Sequence, residues 1–188
     1  MRARALLGLG AALLSAACAF WSDRAFFAES EAVQPFESGA RFVWREGGGG
    51  ESQTIVFTRA GAGYVLQDVN EPDDKPIEMM LVALPETPEE DFIAQVTLPN
   101  AEGVRAYAFL WSAGDGYRML AAPRALDGLA SAEPVLVSHC VARPQGECQM
   151  GSREGLLAIY RDAIYPRFVT GGAAPSDYME LTPAPNGG

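Results

Sequence analysis

Phe109-Leu-Trp-Ser-Ala-Gly-Asp-Gly-Tyr-Arg-Met119 reads as two strands folded back on a Gly-x-Gly turn. Aromatic and β-branched residues suit a pleated, half-buried surface, and Asp115-Gly116 is a strong hairpin signal because glycine supplies the positive φ of a tight turn. The same order recurs upstream in Phe57-Thr-Arg-Ala-Gly-Ala-Gly-Tyr-Val-Leu66, with Tyr64 and Tyr117 53 residues apart. A further strand-like run precedes each hairpin, ARFVWRE at 40–46 in one case and DFIAQVTL at 91–98 in the other. This repetition predicts two β-meanders of roughly 50 residues each. Neither copy is a dinucleotide fingerprint, since the third glycine is missing and the motif opens a strand rather than a helix.

From Ala40 to Cys140 the chain continues in that manner. SQTIVFTR, GYVLQDV, IEMMLVAL, VRAYAFLW, GYRMLAA and PVLVSHC are short runs separated by Gly, Pro, Asn and Asp. In DFIAQVTL, Phe92, Ala94, Val96 and Leu98 share one face opposite Asp91, Gln95 and Thr97, which predicts a strand with one wet side. IEMMLVAL is apolar on both faces and predicts a central, covered strand. Gly47–Gly50 is a loop too unconstrained to cradle a phosphate. In SREGLLAIYRDAIYP, Ser152 is an N-cap and Leu156, Leu157, Tyr160, Ala163 and Ile164 form one apolar face. That predicts a helix over about 152–165, stopped by Pro166 and docked on the sheet. SDYMELT at 176–182 adds an edge strand, and 183–188 is a tail. The fold class is therefore mainly β (α+β): an antiparallel meander sheet, sandwich or small barrel with a C-terminal helix, in one domain over 40–182.

The N-terminus has a different character. MRARALLGLGAALLSAAC carries Arg2 and Arg4, then an uncharged run from Ala5 to Ala17, then Cys18. That run is shorter than the roughly 20 residues a spanning helix needs. The segment resembles a bacterial lipoprotein signal peptide, with Ala16 and Ala17 in the two small positions before the cysteine and Ser15 where the family places Leu. The resemblance implies cleavage after residue 17, acylation of Cys18, and attachment to the periplasmic side of the outer membrane through the acyl chains. Ser15-Ala16-Ala17 also fits ordinary small-x-small cleavage, which would release a soluble periplasmic or secreted protein. Residues 18–39 then form a tether, with Ser22 capping a short helix that runs to Val33 and ends at Pro35; Phe20, Trp21, Phe26 and Phe27 suit packing on the domain or a membrane interface.

Removing Cys18 from the count leaves Cys140 and Cys148, with Pro144 and Gly146 between them, and in an oxidising compartment this pair reads as a disulfide. The rival reading of the pair is half of a metal site with His139. A closed zinc site wants four ligands, and His139 is the chain's single histidine, so the disulfide is the expected state. In phase with Val135 and Val137 on a strand, His139 reads as a half-buried structural residue rather than a thiol partner. The whole chain has a net charge of −10, and loss of the signal leaves 12 basic against 24 acidic residues, a net charge of −12 that disfavours nucleic acid.

No catalytic constellation is present: Gly151-Ser152 lacks the flanking pattern of a nucleophile elbow. The acidic stretches Glu71–Asp74 and Glu86–Asp91 match no calcium loop, and the arginines do not cluster in sequence. No cofactor or metal is called for. The expected role is that of a non-catalytic cell-envelope lipoprotein, an interaction or structural module engaging an envelope protein or polymer. The alternatives are a small-ligand-binding barrel or cup lined by Trp44, Tyr64, Tyr107, Trp111 and Tyr117, and an enzyme with dispersed residues.

Overall fold

The computed structural model describes residues 20–46, 52–84, 87, 90–97, 103–120, 134–142, 148–171 and 178–185. Cys18, the expected signal segment before it and the loop Gly47–Gly50 lie outside the described residues. Two short strands, β1 (Phe20–Ser22) and β2 (Ala32–Val33), lead into a run of longer ones. These are β3 (Ala40–Glu46), β4 (Ser52–Ala60), β5 (Gly63–Asp68), β6 (Ile77–Ala83), β7 (Phe92–Thr97), β8 (Arg105–Ala113) and β9 (Gly116–Leu120). Each pairs antiparallel with the next. The expected edge strand at the C-terminus, β12 (Met179–Pro183), is no edge. It lies between β9 and β3 and closes an eight-stranded antiparallel barrel. Closure removes the unpaired rims that an open meander would leave. Pro183 belongs to this strand, and Ala184 N donates to Arg41 O at 2.9 Å, so the ordered domain runs past the expected boundary at 182.

Alternation along each strand sorts the side chains. Trp44, Phe57, Leu66, Met79, Val96 and Leu181 face the axis, where one buried cluster fills the barrel. Small residues face in beside these large ones: Ala94, Ala106 and Ala108 give the rings room. The two expected repeats are the two halves of the barrel, β3–β6 and β7–β8–β9–β12. Arg59 pairs with Tyr64 and Ser112 with Tyr117; Tyr64 then pairs with Met79, and Tyr117 with Leu181. Each hairpin turns on two residues, Gly61-Ala62 and Gly114-Asp115, with φ of +54° and +59° at the first glycine. The turn therefore sits one residue earlier than Asp115-Gly116 suggested. The second glycine has another duty. A Cβ on Gly63 would lie 2.4 Å from Met79 O, and one on Gly116 2.2 Å from Leu181 O.

The halves differ in their last connection. Residues 69–76 join β5 to β6, whereas residues 121–178 intervene between β9 and β12. This insertion carries α1 (Pro134–His139), β10 (Cys140–Ala142), β11 (Cys148–Met150) and α2 (Arg153–Ile159), which continues as a π-helix over Tyr160–Thr170. The expected strand PVLVSHC is thus a helix: proline is pre-organised at a first helical position, and Ser138 Oγ donates back to Pro134 O at 2.9 Å. Ser152 caps α2 as expected, its Oγ accepting from Gly155 N at 3.1 Å. Pro166 does not stop the helix. The wider π turn runs through it, and the Thr170 hydroxyl donates to Pro166 O at 3.0 Å.

The insertion packs on the outside of the barrel. Ile93, Phe109, Leu120, Leu156, Ile159 and Ile164 belong to a second buried cluster between the outer wall and α2. The outer face of β7, expected to be wet, is therefore covered: Ile93 is fully buried and Gln95 nearly so. β10 and β11 pair antiparallel, the Cys140–Cys148 disulfide joins them across a Cα–Cα distance of 5.1 Å, and β11 runs parallel to β1.

Residues 20–39 form neither a tether nor a helix from Ser22 to Val33. Phe20 is fully buried, with β1 inserted between β11 and the first half of β8. Ser22 is buried too, its hydroxyl within 3.2 Å of Tyr107 Oη instead of capping a helix. Gln95 Oε1 accepts from Phe26 N (3.0 Å) and Phe27 N (3.2 Å), and Tyr107 Oη donates to Arg24 O at 3.0 Å. These long-range bonds outweigh any local helical preference. The chain then makes a 3-10 turn at Glu29–Glu31, pairs β2 with β6, and crosses the barrel mouth at residues 34–38.

Candidate functional site

Two regions compete for a functional reading: the barrel axis and the outer surface of the insertion. The axis is occupied by the protein itself. Phe36 enters the mouth and packs at centroid distances of 5.0 Å from Phe42, 5.3 Å from Phe57, 5.8 Å from Tyr64 and 5.2 Å from Tyr117. Tyr64 Oη accepts from Phe36 N at 2.8 Å and donates to Phe36 O at 3.0 Å, so one hydroxyl saturates the plug's backbone. Arg59 adds Nε to Phe36 O at 3.0 Å and Nη2 to Gln34 O at 3.1 Å. Burial pushes the Tyr64 hydroxyl above its ordinary pKa, against the opposing effects of the Phe36 backbone and Arg59.

At the matching place in the second half, Tyr117 Oη donates to Glu90 Oε2 at 3.2 Å. Burial first, and then the Glu90 charge, push the Tyr117 pKa up to about 12. The five aromatic candidates therefore divide. Trp44 and Tyr64 are buried on the axis and Tyr117 packs at the edge of the same cluster, against Phe36, Phe42 and Phe92, while Tyr107 and Trp111 lie on the opposite face beneath the outer layer. They do not converge on one cavity.

On the outside, α2, the C-terminal end of α1 and the segment after β6 enclose an open cleft of about 570 Å³. Leu84, Leu157, Ala158, Tyr160 and Tyr165 give it apolar walls, and Thr87, His139, Glu154 and Arg161 supply polar groups. The size is within the usual range for small-molecule sites. The Tyr160 hydroxyl donates to the buried Asp91 carboxylate at 2.6 Å, and its ring packs 5.1 Å from Phe109, so the floor is fixed to the barrel wall. The third wall depends on Gly155: a Cβ there would lie 3.1 Å from the His139 side chain, and its absence lets α1 approach α2.

His139 is thus an exposed residue ending a helix at the cleft, not a half-buried strand residue. Arg161 forks onto Asp162 at 2.6 and 2.9 Å, and this hydrogen bonding, aided by the nearby His139, holds the Asp162 carboxyl below its ordinary pKa. A second hollow of about 460 Å³ lies between residues 25–29 and the β4–β5 hairpin, with a lining as polar as it is apolar.

Sequence reasoning placed Leu157 and Tyr160 on an apolar helix face but assigned that face wholly to docking. The signal for the cleft was the width of the apolar face on that helix, where Leu157, Ala158 and Tyr165 are only half buried at the margin of the stripe that packs on the barrel. Among the described residues, no three His, Cys, Asp or Glu side chains gather as a metal site, and no helix is long and apolar enough to cross a membrane. Comparison with family models, curated proteins and solved structures finds no match to this chain.

Proposed function

We propose that this is an exported, non-catalytic binding protein of the cell envelope, held at the membrane by an acylated Cys18, with the barrel as scaffold and the external cleft as binding site. The carrying observation is the contrast between a barrel axis filled by Phe36 and its neighbours and an unfilled apolar cleft on the insertion. A barrel is compatible with a ligand-holding cup, but here Phe36 and the rings around it occupy the axis. The tight seating of residues 20–39 also supports a short attachment, because Phe20 is already locked into the sheet two residues after Cys18.

The neutral fluorophore N-phenyl-1-naphthylamine tests the site. It should bind with one-to-one saturation, and Leu157→Trp, which fills the cleft, should abolish the signal. Undiminished binding by a folded Leu157→Trp variant would remove the cleft from consideration. For the attachment, Cys18→Ser should release the protein from the membrane fraction; unchanged membrane association would contradict it.

A further inference from the structure

The third wall of the cleft is fastened by the disulfide. His139, which lines the cleft, is followed directly by Cys140, and Cys140 is bonded to Cys148 on β11. That strand is firmly held. It runs parallel to β1, Cys148 is buried, and Ser152, four residues on, caps the helix that carries Leu157 and Ala158. The bond therefore ties the α1 wall to the element that leads into the facing wall. Apart from it, α1 has little to hold it. A six-residue helix does not persist alone in water. Leu136 is its one buried residue, Val137 is 69% exposed, and Ser138 and His139 are exposed as well. The Ser138 hydroxyl bonds within the helix, to Pro134 O, and the His139 side chain packs over Gly155. β10 adds three residue pairs with β11 and has no second neighbour among the described strands. A two-stranded ribbon of that length is marginal in water.

We propose that Cys140–Cys148 is a redox latch on the cleft. Oxidised, it holds α1 in place as a wall; reduced by a dithiol, it releases α1 and the cleft loses affinity. The inference rests on the reading of the cleft as the binding site and adds the regulation of that site. Cys140 is only partly buried, whereas Cys148 is 1% exposed, so the reductant's thiolate attacks Cys140 Sγ. The S–S bond breaks, and Cys148 leaves as a thiolate and takes up a proton. The reductant's second thiol then attacks the mixed disulfide, closes its own S–S bond and releases Cys140 as a thiol. Two electrons pass from the dithiol to the protein, and its two protons end on Cys140 and Cys148. The barrel keeps its form, because β12 closes it through β9 and β3 and the disulfide lies outside those pairings.

Binding of N-phenyl-1-naphthylamine should be compared in the oxidised protein, in the protein reduced with dithiothreitol, and in Cys140→Ser with Cys148→Ser. With α1 docked less than about a tenth of the time once the bond is gone, the apparent Kd rises at least about ten-fold. The serine pair should show the same weakened binding and no further response to dithiothreitol. The single histidine gives an independent readout on the unmutated protein. On reduction the His139 ring protons should shift and sharpen, while the Leu66 and Leu81 methyls on the barrel axis keep their positions. Collapse of the Leu66 and Leu81 signals to unfolded positions would overturn the latch, since the bond would then hold the whole fold. Equal Kd in all three forms, with Leu157→Trp still abolishing binding, would overturn the latch and leave the cleft as the site. If the oxidised protein does not bind the probe, the site itself fails, and this proposal with it.

Discussion

The two halves of the barrel share a hairpin and differ in what they carry. Tyr64 and Tyr117 stand at matching positions, each following a glycine whose missing Cβ lets a neighbouring carbonyl approach. In the first half the tyrosine hydroxyl holds a plug, and the connection to the fourth strand is short. In the second half the tyrosine holds Glu90, and the connection grows to residues 121–178. The disulfide, the single histidine and most of the cleft belong to that insertion. The lesson is a division of labour: matched strands build a closed and filled scaffold, and one enlarged connection builds most of the external cleft proposed as the binding site.

That comparison can be attacked first at the plug. Phe36→Ala deletes a ring packed against four others and should destabilise the protein by about 3–5 kcal/mol, read as a shift in the urea midpoint. A loss below about 1 kcal/mol would mean that the mouth is looser than described. The equivalence of the halves is tested by Gly63→Ala and Gly116→Ala. Each puts a methyl against a carbonyl of the adjoining strand and should cost about 2–4 kcal/mol, by similar amounts. If only one variant is destabilised, the correspondence is superficial.

The insertion should be separable from the barrel energetically. Cys140→Ser with Cys148→Ser opens a short loop, at a cost of roughly 2–3 kcal/mol in the chain-entropy model. Amide exchange should accelerate in α1, β10 and β11 while β3, β4 and β5 keep their protection. Equal acceleration in both regions would show the two to be one cooperative unit. The smallest effect distinguishes the two tyrosines. Because burial and Glu90 both raise the Tyr117 pKa, its neutral form is favoured by folding. The associated stability is present below pH 10 and is lost as pH rises toward about 12. Glu90→Gln should lower that value without restoring the ordinary one, since burial is the larger cause, and should leave the Tyr64 titration in place. Ultraviolet titration of single tyrosine-to-phenylalanine variants reads both.

Much of the scaffold was legible because its signals are local. Alternation in Phe92-Ile-Ala-Gln-Val96 and the repeated Gly-x-Gly-Tyr identify strands and hairpins without knowledge of partners. Closure was not legible, because β9 finds β12 only across the whole insertion, and no local pattern encodes a pairing at that separation. Alternation also names two faces without saying which is inner. On β8 the bulky Tyr107, Phe109 and Trp111 point outward beneath the outer layer, and the alanines point in. The candidate lining was therefore split between two environments. Residues 20–39 and PVLVSHC were misread for a related reason: Ser22, Gln95 and Tyr107 make contacts distant in sequence that override local propensity, and Pro134 starts a helix where the valines suggest a strand.

The most direct test of the central claim is where a small neutral amphiphile makes contact. In methyl-resolved NMR with n-octanol, intermolecular NOEs should fall on Leu84 and Leu157 and be missing from Leu66, Leu81 and Met79 on the barrel axis. NOEs to Leu66, Leu81 or Met79 with none to Leu157 would contradict the account: the barrel would then be the cup and the cleft an incidental hollow.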